Sequence, residues 1–181
     1  MNFTFRFLLT FNATSLLVIV FLIQKGYVLG YFFPNCPVLV EWPNAYSYLI
    51  YLLVPILFTW LSILLSSLLE KDSFEKGSIT NIEHANNSFL PSYLAYFFVA
   101  LSIANCETLA FVYGILFVFT FVSQALYFNP LFLLFGFEFY NITTKNGAAV
   151  FLISRQRYKI PADIEISTAF RINNYTFIER G

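Results

Sequence analysis

A chain of 181 residues that is 59% hydrophobic, contains 24 phenylalanines and is only 11% charged cannot hide its apolar surface in its own small interior. Soluble domains carry about 25% charged residues, so the excess apolar surface must face lipid. Formal net charge is zero, yet six of the ten basic residues (Lys145, Arg155, Arg157, Lys159, Arg171 and Arg180) fall after residue 144.

In chain order, the first apolar run is Phe7 to Ile23, closed by Gln24-Lys25-Gly26. Phe3 and Phe5 extend it around Arg6, whose long stem lets the charge reach the headgroups. No small-x-small cleavage pattern follows, and the run is long for a signal core. Phe33-Pro34-Asn35 before Cys36 does not resemble a lipoprotein cleavage site. Residues 5–23 therefore read as an uncleaved anchor helix. Residues 26–44 form a connection in which Pro34, Pro37 and Pro43 break any helix. Its aromatic residues suit the membrane interface.

The second run, 45–69, contains no charge, is long enough to span and stops at Glu70-Lys71-Asp72. The polar stretch 70–88 reads as an exposed loop or short amphipathic piece. A third span, 89–105, starts near Pro91, and a fourth, 108–128, follows a turn at Asn105-Cys106-Glu107. Pro130 ends the last helix, and Leu131 to Phe135 is expected at the inner interface. From Phe137 the chain turns aromatic and β-branched, and Lys145-Asn146-Gly147 is a hairpin signal because Asn and Gly tolerate positive φ. Asn173-Asn174 reads as a second turn.

The expected fold is a membrane all-α protein. A four-helix transmembrane domain (1–135) precedes a small antiparallel β-rich cytoplasmic unit (136–181) of three or four strands. Lys and Arg favour the cytoplasmic side. Four spans put nine basic residues on one side and only Lys25 on the other, so both termini are expected in the cytoplasm. Cys36 and Cys106 then share the outer, oxidising side. They are either disulfide-bonded or two unrelated thiols.

Candidate chemistry is sparse. His84 alone makes no ligand set with two distant cysteines, and there is no phosphate loop or protease constellation. Neither a metal nor a cofactor is expected. The spans hold no charge beyond the flanking Arg6, which disfavours ion-coupled transport. Their polar residues (Asn12, Thr14, Ser15, Ser62, Ser66, Ser67, Ser102, Ser123 and Gln124) are expected to hydrogen-bond between helices. Small pairs at helical spacing, Ser62 with Ser66, Ala100 with Ala104 and Ala110 with Gly114, suit close helix packing.

The β unit is too short for a robust core of its own. It carries apolar groups on both faces, Phe137 and Phe139 on one parity and Tyr140 and Ile142 on the other. Copies of itself, the membrane surface or a partner must cover the second face. If extended, Arg155, Arg157 and Lys159 share one side. With Arg171, they are candidates for partner or lipid contact, or simply retain the chain by positive charge.

The whole layout resembles the KwaA family, the membrane component of the Kiwa anti-phage defence system. The resemblance rests most on Phe137 to Tyr140, Thr143 to Gly147, Leu152 to Ser154 and Arg171 to Tyr175. It implies an inner-membrane sensor of infection that assembles as an oligomer, a tetramer for example. It also implies a cytoplasmic effector partner, KwaB, that acts on phage DNA, with no direct nucleic-acid binding by this chain. The expected function is a non-enzymatic sensor or scaffold. The alternative is a pore-forming or channel-like subunit, holin-like or an abortive-infection effector.

Overall fold

The computed structural model describes residues 3–88, 90–122, 129–161 and 164–180. In order these form α1 (Phe3–Gln24), α2 (Leu29–Phe32), α3 (Pro37–Glu41), α4 (Asn44–Leu65) with a 3-10 turn at Ser66–Leu68, β1 (Lys71–Phe74) and β2 (Ile79–His84). Then come α5 (Leu90–Ser102), α6 (Cys106–Val122), α7 (Leu131–Leu134), β3 (Glu138–Thr144), β4 (Ala149–Ser154), β5 (Ile166–Asn173) and β6 (Thr176–Glu179).

The helices are arranged around α1, which packs against α4, α5 and α6. The sequence explains why: Phe5, Leu9, Ala13, Leu17 and Phe21 recur every four residues and are all buried, which is the spacing of one helix face. Ala100 and Ile103 of the α5 end pack on Leu17 and Phe21. Arg6 donates to the Phe121 carbonyl (2.9 Å) and lies over its ring, fixing the start of α1 beside the last described turn of α6. At the opposite end Gln24 Nε2 donates to the Leu101 carbonyl (2.6 Å).

α1 and α4, at 22 residues each, are long and apolar enough to cross a membrane. The described parts of α5 and α6 have 13 and 17 residues, about 20 and 26 Å at 1.5 Å per residue. Both fall short of a bilayer core of about 30 Å. The expected third span begins, and the expected fourth ends, outside the described residues, as do Ser123 and Gln124. The 26–44 connection is not helix-free: α3 starts on Pro37, which a first turn tolerates. α2 lies so close to α3 that a Cβ on Gly30 would sit 2.8 Å from the Leu39 oxygen and Val40 Cα.

The β unit differs most from expectation. It is one six-stranded mixed sheet in the order β1-β5-β6-β4-β3-β2, with β4 and β6 parallel and the other pairs antiparallel. Both predicted turns are present: β3 and β4 form a hairpin around Gly147 at φ +77°, and β5 and β6 join at Asn173-Asn174. The 70–88 stretch, expected as an exposed loop, supplies both edge strands. The β unit is therefore not confined to residues 136–181.

Those edges are joined by only Glu75–Ser78. Six flat strands would separate them by about 24 Å, whereas five residue steps reach about 18 Å at most. The sheet must curl. Its inner face accordingly gathers Ile79, Ile142, Leu152, Ile166, Ala169 and Phe177, from five strands, into one cluster. Phe74 of β1 meets Phe177 of β6 with ring centroids 5.2 Å apart. The outer parity, Phe139, Phe151, Ile153, Phe170, Ile172 and Ile178, packs with Phe5, Leu9, Ile63, Tyr93 and Phe132 of the helices. The second apolar face is thus covered by the chain's own helices.

Phe139 is fully buried and stacks on Phe151 at 5.7 Å. Phe139→Ala is expected to destabilise the chain by about 3–5 kcal/mol through the cavity it leaves, measured by denaturation of detergent-solubilised protein.

Candidate functional site

Two polar clusters flank the junction between sheet and helices. The first lies among the helices, beside Pro55, which sits inside α4. With the Asn12 amide oriented to satisfy its neighbours, Oδ1 accepts from Asn129 Nδ2 (2.8 Å), Thr59 Oγ1 (2.6 Å) and Thr59 N (3.1 Å), and Nδ2 donates to the Pro55 carbonyl (3.1 Å). Asn12, Thr59 and Asn129 are each at most 1% exposed. Asn129 Oδ1 in turn accepts from Leu131 N (3.0 Å) at the head of α7, whose Phe132 packs under the sheet. One buried node therefore ties α1 to α4 and both to the element beneath the sheet.

Thr14 adds a second interhelical bond, to the Tyr113 hydroxyl of α6 (3.2 Å). The expectation of interhelical bonding holds for Asn12 and Thr14. It does not hold for the serines: Ser15, Ser62, Ser66, Ser67 and Ser102 each donate to a carbonyl of their own helix or its end. Thr59 and Asn129 were not expected as site residues. Pro55 followed four residues later by Thr59, inside an otherwise apolar run, was the available signal.

The second cluster lies on the sheet rim. The Tyr140 hydroxyl donates to Glu138 Oε2 (2.6 Å), and Arg157 Nε pairs with Glu138 Oε1 at 3.0 Å. His84 Nε2 lies 3.5 Å from Glu138 Oε2. Glu179, 5% exposed, accepts from Ser154 Oγ (2.6 Å) and from the Tyr158 hydroxyl (2.7 and 2.9 Å). Tyr158 N donates to the Tyr140 hydroxyl (3.3 Å) and links the two halves. The Tyr140 hydroxyl bond, Arg157 and His84 hold the Glu138 carboxyl below its usual range, against the opposing effect of burial. Burial and Glu138 push the Tyr140 phenol up to about 12, and burial and Glu179 raise Tyr158. Both phenols stay protonated at neutral pH, so the network fastens the 155–160 segment to the rim.

That segment is not a strand, and its basic residues have different surroundings. Arg155 lies over the Phe137 ring at 4.7 Å, Arg157 is committed to Glu138, and Lys159 is exposed. Arg171 lies within β5, pairs with Asp72 at 3.3 Å and stacks over Phe177. Of the small pairs, Ser62, Ser66 and Ala100 are buried. Ala104, beyond the end of α5, is exposed, as are Ala110 and Gly114, and a Cβ on Gly114 would meet nothing within 4 Å. Cys36 and Cys106 are free thiols here, with Cys106 Sγ 4.0 Å from the Tyr27 hydroxyl. Among the described residues no group of three or more His, Cys, Asp or Glu is placed to hold a metal.

Asn12→Ala removes the acceptor shared by Asn129 and Thr59, leaving Asn129 Nδ2 only its 3.0 Å bond to Thr59 Oγ1, and each buried group left unsatisfied costs about 1–3 kcal/mol. Thermal unfolding in detergent is expected to show that loss, and Asn12→Gln is not expected to restore the geometry. The Tyr140 phenol has a raised value when folded, so its stabilisation is complete below pH 10 and is lost as pH rises from 10 through about 12. Tyr140→Phe should make the alkaline loss of stability shallower in a pH series of unfolding curves.

No curated protein and no solved structure matches the chain. One family model does, that of the anti-phage protein KwaA, and it covers residues 5–178. A match over nearly the whole chain takes in the helices, the node and all six strands, and the chain belongs to the KwaA family of anti-phage proteins.

Proposed function

We propose that this anti-phage protein is a non-enzymatic, multi-pass inner-membrane sensor or scaffold. It responds to infection or membrane perturbation and controls a cytoplasmic effector through its β unit. The observation that carries this reading is the single buried layer shared by the helices and the sheet. Phe5 opens α1, Ile63 lies near the end of α4, Tyr93 lies in the first turn of α5, and all three pack with Phe139, Phe151 and Ile153 of the sheet. A shift of one helix against another changes the surface on which the sheet rests. Close-packed interiors transmit such shifts instead of absorbing them.

The same layer supports four spans with the sheet on the cytoplasmic side, because Arg6, the 70–88 stretch and the basic C-terminal residues gather at one end. The open small-residue face of α6, Ala110 and Gly114, suits helix contact between copies and supports a homo-oligomer, with a tetramer as the working stoichiometry. By family resemblance the effector is KwaB. Thr14 and Asn12 are spent on bonds within the subunit, which favours this reading over a channel with a polar lining.

The 155–160 segment is the proposed contact surface. Neutralising Arg157 and Lys159 together, as Arg157→Gln and Lys159→Gln, should weaken co-purification of the effector with the full-length chain by about tenfold, or about 1.4 kcal/mol. Membrane fractionation of the variant should be unchanged. Undiminished effector recovery would count against the assignment of this surface.

A further inference from the structure

A cleft of ≈ 570 Å³ opens between the last turns of α4 and the sheet, within the size range of small-molecule sites. Ile63 forms part of its wall two residues before α4 ends; Arg155, Arg180, Glu165 and Glu179 supply its charges, and Ser167 and Thr168 are among its other polar groups. The position matters first. If α4 crosses the bilayer, as proposed above, its final turn lies at headgroup depth, and the cleft opens there.

The charges matter next. Two guanidinium groups and two carboxylates line one cleft; Glu179 is taken up by the Ser154 and Tyr158 hydroxyls, whereas among the described residues neither the exposed Glu165 nor Arg180 is in an ion pair. Arg155 follows β4 and is propped on the Phe137 ring, Arg180 follows β6, and Glu165 precedes β5, so the charges come to the cleft from the ends of three different strands. Ser167 and Thr168 face outward where β5 carries an extra residue against β1, the register running from Asp72–Ala169 to Phe74–Ile166. Such a bulge re-aims side chains.

A ligand that satisfies this lining must carry both charges. Arginines match a phosphate oxygen pair, a carboxylate matches a primary ammonium, and serine and threonine hydroxyls donate to the remaining phosphate oxygens. A choline head has no N–H for Glu165. A glycerol head brings no cation and leaves that carboxylate facing a phosphate. We infer that the cleft binds a phosphoethanolamine group: its phosphate ester is held by Arg155 and Arg180 and its ammonium by Glu165. The membrane source is the headgroup of an ethanolamine phospholipid.

The test uses the full-length chain in detergent and native mass spectrometry with short-chain phosphatidylethanolamine, phosphatidylglycerol and phosphatidylcholine. Phosphatidylethanolamine should bind about tenfold or more tighter than either of the others. Arg180→Gln should lower binding of all three lipids, because each presents the same phosphate. Glu165→Gln should erase the preference for ethanolamine. Both side chains lie outside the buried layers, and circular dichroism of the variants checks that they fold. Equal binding of all three lipids, or an ethanolamine preference that survives in the Arg180→Gln/Glu165→Gln double variant, overturns the assignment. Soluble glycerophosphoethanolamine forms a separate arm. Binding as tight as the lipid assigns the same site to a water-soluble ester, and much weaker binding assigns it to the bilayer. Alkaline carbonate extraction tests the membrane reading by itself, because a chain released from membranes refutes that reading while the soluble arm still reports on the cleft.

Discussion

Four residues, Glu75–Ser78, join the two outermost strands of a six-stranded sheet. The shape of the protein depends on that short tether. It is too short to cross a flat sheet, so the strands must curl, and curling gives the sheet an inside and an outside. The inside fills with Ile142, Leu152 and Phe177 and is sealed by its own strands. The outside presents Phe139, Phe151 and Ile153, which only another apolar surface can satisfy. The ends of the helices provide it. An undersized β unit thereby acquires two cores, one private and one shared with the membrane-type helices. The shared core makes it physically reasonable for an anti-phage protein to couple what happens among its helices to what its sheet presents.

Much of this was legible in the residues. The apolar runs that became α1 and α4 stand out because they lack charge, and the Asn146-Gly147 hairpin follows from the positive φ that Gly147 adopts. The demand for a cover on a second apolar face was also readable, from the two parities of Phe137 to Ile142. What covers it was not, because helices that look fully lipid-facing in composition turn a few residues, Phe5, Leu9, Ile63 and Tyr93 among them, toward the sheet. The edge strands were hidden for a different reason. Lys71-Asp72-Ser73-Phe74 and Ile79 to His84 are short and polar on their exposed sides. Their pairing partners lie some sixty to a hundred residues away, where local pattern carries no information. The curl they impose was equally invisible. Arg155 to Lys159 left the conformation open: Glu138 and Glu179, which bond Arg157 and Tyr158 and fasten the segment to the rim, are distant in sequence.

The polar groups follow one physical rule throughout. Burying an amide or a carboxylate is tolerable only when its bonding capacity is used. Asn12 spends both ends of its amide, and Glu179 receives two hydroxyls. Both groups sit where elements from distant parts of the chain meet. They act as registers that accept one arrangement of their neighbours and reject displaced ones. Apolar packing alone is more forgiving of sliding.

The sheet is sewn from two lengths of chain separated by the α5–α6 hairpin. Lys71 pairs with Phe170, and β5 in turn pairs with β6, the last strand. During synthesis β2 must therefore wait for β3, and β1 stays unpaired until β5 has been made. No shortened product that stops before residue 166 has a closed sheet to offer. A chain that ends before β5 leaves β1 without its partner and the curl open, so the seat of the sheet on the helices depends on residues far apart in sequence.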